Sequence, residues 1–275
     1  MLKKLLKHEW RGLWKIPLLL LGILLIGTLA LGFSFALPIW DDDWIGFGFS
    51  IIGTLLVYYA LVVGVPLGIN IYLVVRYYKS MFTDEGYLTH TLPATSHQLL
   101  ISKSVVMGAW NLISGAAVGI SVFIILSMLY VFQIQKEIPL REVFDEFVDL
   151  FRILSEEGGF GDLGYFMLCS VIMGLAGVFC NIMKLIGSIS LGQMLRKHRI
   201  LGAIGAYFGF NIIMSVVELI VTIPYMLISN NIDNMGGIFE VDSGLYLINA
   251  VLSIAVGLGL YFLSEYLTRR QLELE

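Results

Sequence analysis

Two ionisable residues, Glu218 and Lys184, sit inside otherwise apolar stretches of this chain. A charge facing hydrocarbon costs about 2.5–3.5 kcal/mol on insertion scales, so each needs a partner, a neutral form or a role. Glu218, mid-way along its stretch, fits a substrate path or a proton site; it fits equally a protonated or hydrogen-bonded carboxyl at a helix contact. Lys184 fits the same path, or an ammonium whose stem reaches back to the nearer interface. If the two helices start at one plane, these residues differ in depth by about 12 Å at 1.5 Å per residue, too far for a default ion pair.

Enzyme chemistry finds few parts. There is no H-E-x-x-H, C-x-x-C or G-x-S-x-G pattern, and His8, His90, His97 and His198 lack metal-ligand spacing. No catalytic, cofactor-binding or metal site is expected. No Gly-Lys dipeptide occurs, so the phosphate loop that cradles ATP is missing. Cys169 and Cys180 lie eleven residues apart. On one helix that is about 16 Å, beyond the roughly 7 Å limit for a disulfide, so both read as small core residues.

The elements that position these residues are membrane spans. Of 275 residues 58% are hydrophobic and 14% charged, with a mean hydropathy of +0.86. So little polar surface defines an all-α integral membrane protein, a single transmembrane domain over 1–275. The net charge of −4 carries no argument for a nucleic-acid partner, and none is expected.

Residues 1–14 form an amphipathic helix. Leu2, Leu5, Leu6, Trp10, Leu13 and Trp14 share one face, and Lys3, Lys4, Lys7, His8 and Arg11 fill the other, which suits the lipid interface. The segment is too long for a signal n-region and the apolar run after it exceeds a usual h-region, so it is expected to stay uncleaved. Six spans follow, at 16–38, 45–75, 104–132, 165–192, 200–228 and 244–267. Each exceeds the roughly 20 residues a bilayer needs. Trp40 and Trp44 bracket Asp41, Asp42 and Asp43 at a tight interfacial turn, and Pro66 and Pro224 bend spans two and five.

The loop 133–164 is the largest. It is expected on the outer face, where Leu140, Val143, Phe144, Phe147, Phe151 and Leu154 make a helical stripe with Glu142, Asp145, Glu146 and Asp149 elsewhere around the wheel, released by Gly158, Gly159 and Gly161. The pairs Gly64/Gly68, Gly115/Gly119 and Gly205/Gly209 allow close helix packing, within a bundle or with a second copy. Thirteen of the seventeen Lys and Arg residues fall on the face that holds both termini and the segment 76–103. The positive-inside bias therefore predicts a cell-membrane protein with both termini and that segment in the cytoplasm.

Residues 76–103 are a polar island between two spans. Thr83, Asp84 and Glu85 offer a helix N-cap with acids in the first turn, Pro93 stops the chain, and Thr95-Ser96 offers a second cap. A short docking helix is the expectation. The stretch FTDEGYLTHTLPATSHQLLISK, residues 82–103, resembles the loop of the permease subunits of bacterial type-2 ABC exporters. The positions carrying the match are Phe82, Asp84, Glu85, Gly86, Tyr87, Leu88, Thr89, Leu92, Pro93, Ser102 and Lys103. The layout of an interfacial helix and six spans is similar to the same family over the whole chain.

That resemblance implies half of an exporter. A second permease copy, identical or related, would complete the pathway. Two copies of a separate ATPase, carrying the ATP and magnesium, would grip the island, with residues 82–93 as the coupling contact. ATP-driven closure would then rock spans two and three. The rival readings are a proton-coupled secondary transporter that uses Glu218, and a non-transporting sensor or accessory subunit whose acidic outer helix binds a ligand.

Overall fold

A computed structural model describes residues 2–35, 45–83, 95–134, 139, 141–142, 144–146, 148–149, 152, 160–195, 198–228 and 235–270. Among these there is no strand. The helices are α1 (Leu2–Leu13), α2 (Lys15–Ser34), α3 (Ile45–Phe82), α4 (Ser96–Leu129, with a π turn at Tyr130–Ile134), α5 (Phe160–Gly192), α6 (Arg199–Ile228) and α7 (Met235–Arg270). Six of them, α2 to α7, are long and apolar enough to cross a membrane. Hydrocarbon offers no partner to a free N–H or C=O, and a helix satisfies each from within its own segment. The chain is an all-helical, multi-pass membrane protein.

Several helices outrun the apolar stretches that mark them. α3 continues seven residues past 75, α4 starts eight before 104, α5 five before 165 and α7 nine before 244. Apolar length measures hydrocarbon, whereas an established helix extends by one further bond per residue until a breaker intervenes. Gly161, expected in a turn, is thus taken into α5. The start of α4 follows its cap: Thr95 Oγ1 accepts the Gln98 N–H at 3.3 Å and Thr95 O accepts the Leu99 N–H. The acidic turn 40–44 lies outside the described residues. Within 133–164, residues 141–142, 144–146, 148–149 and 152 are helical, with Arg141 3.8 Å from Asp145 and Phe144 exposed. Leu140, Val143, Phe147, Phe151 and Leu154 lie outside the described residues.

By its contacts the chain forms two units. The first joins Met1–Arg76 to Val105–Asp145. In it α2 runs antiparallel to α3 and parallel to α4. Gly27 faces Leu61, where an added Cβ would lie 2.5 Å from the leucine Cδ1; Gly68 faces Leu20 and Gly12 faces Arg76. That one-for-one register carries on from α2 into the last turn of α1, because Trp14 between them keeps helical angles (φ −67°, ψ −30°). Against α4, Trp10 stacks on Trp110 at 5.1 Å, Phe33 meets Phe132 at 6.3 Å, and Gly32 abuts Met128.

The second unit joins Tyr77–Ser104 to Glu146–Glu275. Here α5 packs most extensively on α7 and next on α6. A Cβ on Gly257 would lie 2.5 Å from Phe179 Cε1, and one on Gly192 2.6 Å from the Ala203 backbone nitrogen. Lipid tails are as apolar as leucine, so such close packing, not expulsion from water, holds helices together. Of the glycines paired by spacing, Gly68 alone has a neighbour where a Cβ would sit, Leu20 Cδ1 at 3.5 Å. An added Cβ on Gly64, Gly115, Gly119, Gly205 or Gly209 would meet nothing within 4 Å.

Buried hydroxyls bond back to their own helices. Thr28 donates to Leu24 O at 2.7 Å, Ser104 to Leu100 O at 2.6 Å, Ser190 to Ile186 O at 3.0 Å and Ser264 to Leu260 O at 2.7 Å. Each polar side chain is thereby satisfied without water.

Candidate functional site

Two groups of polar residues fall in the second unit. The first surrounds the two ends of the island. α3 ends at Phe82, whose buried ring meets Tyr77 edge-on at 6.2 Å. Thr83 turns its hydroxyl back to Lys79 O at 2.6 Å, and so closes α3. Asp84, Glu85, Gly86, Tyr87, Leu88, Thr89, Leu92 and Pro93 lie outside the described residues.

On the far side, α4 returns with Leu99, Leu100, Ser102 and Lys103 all buried. Lys103 keeps only 3% of its surface exposed, and its Nζ donates to Ser80 Oγ at 2.6 Å. A buried ammonium needs such a bond, since desolvation without compensation costs several kcal/mol. Ser80 also donates to Tyr77 O at 3.3 Å. The strand of chain that leaves α3 and the one that enters α4 are therefore tied together by a charge-assisted bond.

The first turn of α4 is tied to the last turns of α7 as well. His97 Nδ1 bonds the Tyr261 hydroxyl and lies 3.7 Å from Glu265 Oε2, with the two rings edge-to-face at 5.7 Å. His97 is half exposed and Glu265 largely buried. With Nδ1 bare the tyrosine donates; with a proton on Nδ1 the ring donates to the tyrosine oxygen.

The second group is a polar seam between α5 and α6. Tyr207 donates its hydroxyl to Asn181 Oδ1 at 3.3 Å. Beside this bond, Lys184 Nζ donates to Asn211 Oδ1 at 2.9 Å, while Asn211 Nδ2 donates to Tyr207 O at 2.9 Å. The lysine is held across the helix contact, where the sequence alone also allowed it to stretch toward the interface. Glu218 is seven residues beyond Asn211, about 10 Å further along α6, in line with the depth difference expected from the sequence. Among the described residues it makes no hydrogen bond or ion pair. Cys180, one turn beyond Lys184, lies between them and within electrostatic reach of both charges.

Of the residues singled out by type, the structure places Lys184 and Glu218 on one seam but not in contact. Asn181, Tyr207 and Asn211 escaped the sequence reading. The signal was there: Tyr207 and Asn211 stand four apart and Asn181 three before Lys184, the spacing that stacks side chains on one helix face. The tie from His97 to Tyr261 and Glu265 had no such signal, because more than 160 residues separate its partners. Cys169 and Cys180 are buried free thiols, as their spacing required. Among the described residues, no three His, Cys, Asp or Glu side chains gather as a metal site would need.

The fold and both sites define a multi-pass helical membrane protein with a tied loop base and a charged seam between two of its helices. No protein-family model, curated protein or solved structure matches the chain.

Proposed function

We propose that this chain is the permease subunit of an ATP-driven exporter of the type-2 ABC class, in a cell membrane with both termini cytoplasmic. The observation that carries the reading is the tied base of the island. A loop that transmits force must be joined stiffly to the rods it moves, and Lys103–Ser80 with His97–Tyr261–Glu265 supplies that stiffness on both flanks. Residues 82–93, with the sequence pattern of the coupling loop, then engage a groove on a separate ATPase that brings ATP and magnesium. A second permease copy or relative completes the pathway. Glycines 115, 119, 205 and 209 have open space where a Cβ would go and suit such an approach.

Co-purification tests the reading. A tagged chain expressed with its chromosomal neighbours should retain an ATPase, and a cysteine at Leu88 should cross-link to it in the intact assembly. Recovery as a lone component, or labelling of Leu88Cys from the outside of unbroken cells, would refute it. A second reading, proton-coupled transport without an ATPase, rests on Glu218, which has no partner among the described residues. Proton-dependent flux by the isolated chain, abolished by Glu218→Gln, would favour that alternative.

A further inference from the structure

The first unit carries a feature that neither transport reading uses. Between α2 and α4 lies an apolar cavity of about 140 Å³, lined by Leu21, Leu25, Thr28, Ala117, Ile120 and Ile124 among others. Its two hydroxyls are already committed: Thr28 to Leu24 O, and Ser121 to Val118 O and to Tyr58. A cavity of that size with no free polar group stays dry and takes hydrocarbon. It opens sideways, since Leu25 and Ile120 are each more than half exposed or close to it.

The helical register leads from this opening to a pair of charges. Lys7, Arg11, Trp14, Leu18, Leu21 and Leu25 recur at alternate spacings of four and three, one continuous stripe of a helix. The helical angles at Trp14 carry the stripe across the α1–α2 junction. Lys7 and Arg11 are exposed, with no ion-pair partner among the described residues, and Trp14 and Leu18 are exposed below them. Glu9, two residues from each, falls on the opposite face at 100° per residue.

Read from the terminus inward, the stripe is base, base, indole, apolar, cavity. We propose that it is a binding site for one anionic phospholipid from the leaflet on the side of α1. The phosphate meets Lys7 and Arg11, the glycerol region lies beside Trp14, and one acyl chain runs over Leu18 into the cavity. Arg11 and Leu21 are ten residues apart, about 15 Å, the depth of one leaflet of a roughly 30 Å hydrocarbon core. Charge selects the headgroup; the cavity selects a bilayer lipid over a free phosphate. The site stands whether or not the chain engages an ATPase.

The test is native mass spectrometry of the full-length, delipidated protein titrated with phosphatidylglycerol, phosphatidylcholine or inorganic phosphate. One phosphatidylglycerol per chain should be retained at least tenfold more tightly than phosphatidylcholine, and inorganic phosphate not at all. Lys7→Ala with Arg11→Ala should erase the preference between the two lipids. Ala117→Phe, which fills the cavity, should weaken both lipids while its circular dichroism and elution stay as wild type. Should Ala117→Phe fail to fold, Ile120→Trp at the mouth serves the same purpose. Equal retention of the two lipids by wild type, a preference that survives loss of both bases, or tight binding unchanged by a filled cavity would each overturn the proposal.

Discussion

Replacing Asn211 by leucine should harm this protein more than replacing the lysine that Asn211 holds. Asn211 accepts the Lys184 ammonium at 2.9 Å. A hydrogen bond to a charged group contributes about 1.5–3 kcal/mol in water-soluble proteins, and side-chain bonds between membrane helices average about 0.6 with a ceiling near 1.7. Asn211→Leu removes that bond and leaves an ammonium in a span, so a loss of about 1–2 kcal/mol is expected. Lys184→Met keeps the length of the stem but removes a charge whose insertion costs about 2.5–3.5 kcal/mol. It bares Asn211 Oδ1, at about 1 kcal/mol, while Asn211 Nδ2 keeps its bond to Tyr207 O. The net change should be neutral or a gain of about 1 kcal/mol, and the double variant should recover most of what Asn211→Leu loses. Reversible unfolding in mixed micelles, followed against the mole fraction of denaturing detergent, reads all four chains. A Lys184→Met loss as large as that of Asn211→Leu, or strict additivity in the double variant, would show that the lysine is not held as described. A stable Lys184→Met chain that no longer transports would instead mark Lys184 as functional.

Three further outcomes follow from the same contacts. Ser80→Ala and Lys103→Met should be coupled by about 1.5 kcal/mol or more in a double-mutant cycle of unfolding free energy, since the 2.6 Å bond is buried and charged; additivity within about 0.5 kcal/mol would refute the tie. Gly257→Ala should destabilise by about 1–3 kcal/mol, because its Cβ would sit 2.5 Å from Phe179 Cε1, and Phe179→Leu should relieve part of that loss. On the proposed coupling to an ATPase, His97→Ala should leave expression intact but lower the transport rate several-fold with little change in substrate affinity; a wild-type rate would separate the His97–Tyr261 contact from coupling.

How far the sequence reaches is set by what kind of signal each feature leaves. Six spans were legible because hydrocarbon imposes a length of apolar residues, and each has its helix. The helix ends were not, since Arg76, Lys79 and Ser80 are polar without being breakers, and α3 passes through them. The Thr95-Ser96 cap was readable because capping is local. Packing glycines within a unit were only partly legible: a four-residue spacing says that two glycines share a face, not that another helix of the same chain occupies it. Leu61, Met128, Ala203 and Phe179 choose Gly27, Gly32, Gly192 and Gly257 instead. Lys184 and Glu218 stood out by charge, whereas Asn211, the residue that decides the state of Lys184, is neutral and lay hidden in an apolar run.

The back-bonded hydroxyls bear on any cargo that crosses this bundle. Serine and threonine would ordinarily make a path friendly to hydrated solutes, yet Thr28, Ser104, Ser190 and Ser264 each already serve a carbonyl one turn below. Each has spent its one proton on its own backbone and keeps only its lone pairs, so it can accept a bond but has no donor left to offer. These four side chains thus add to the interior of their units no hydrogen-bond donor that is free to solvate a guest.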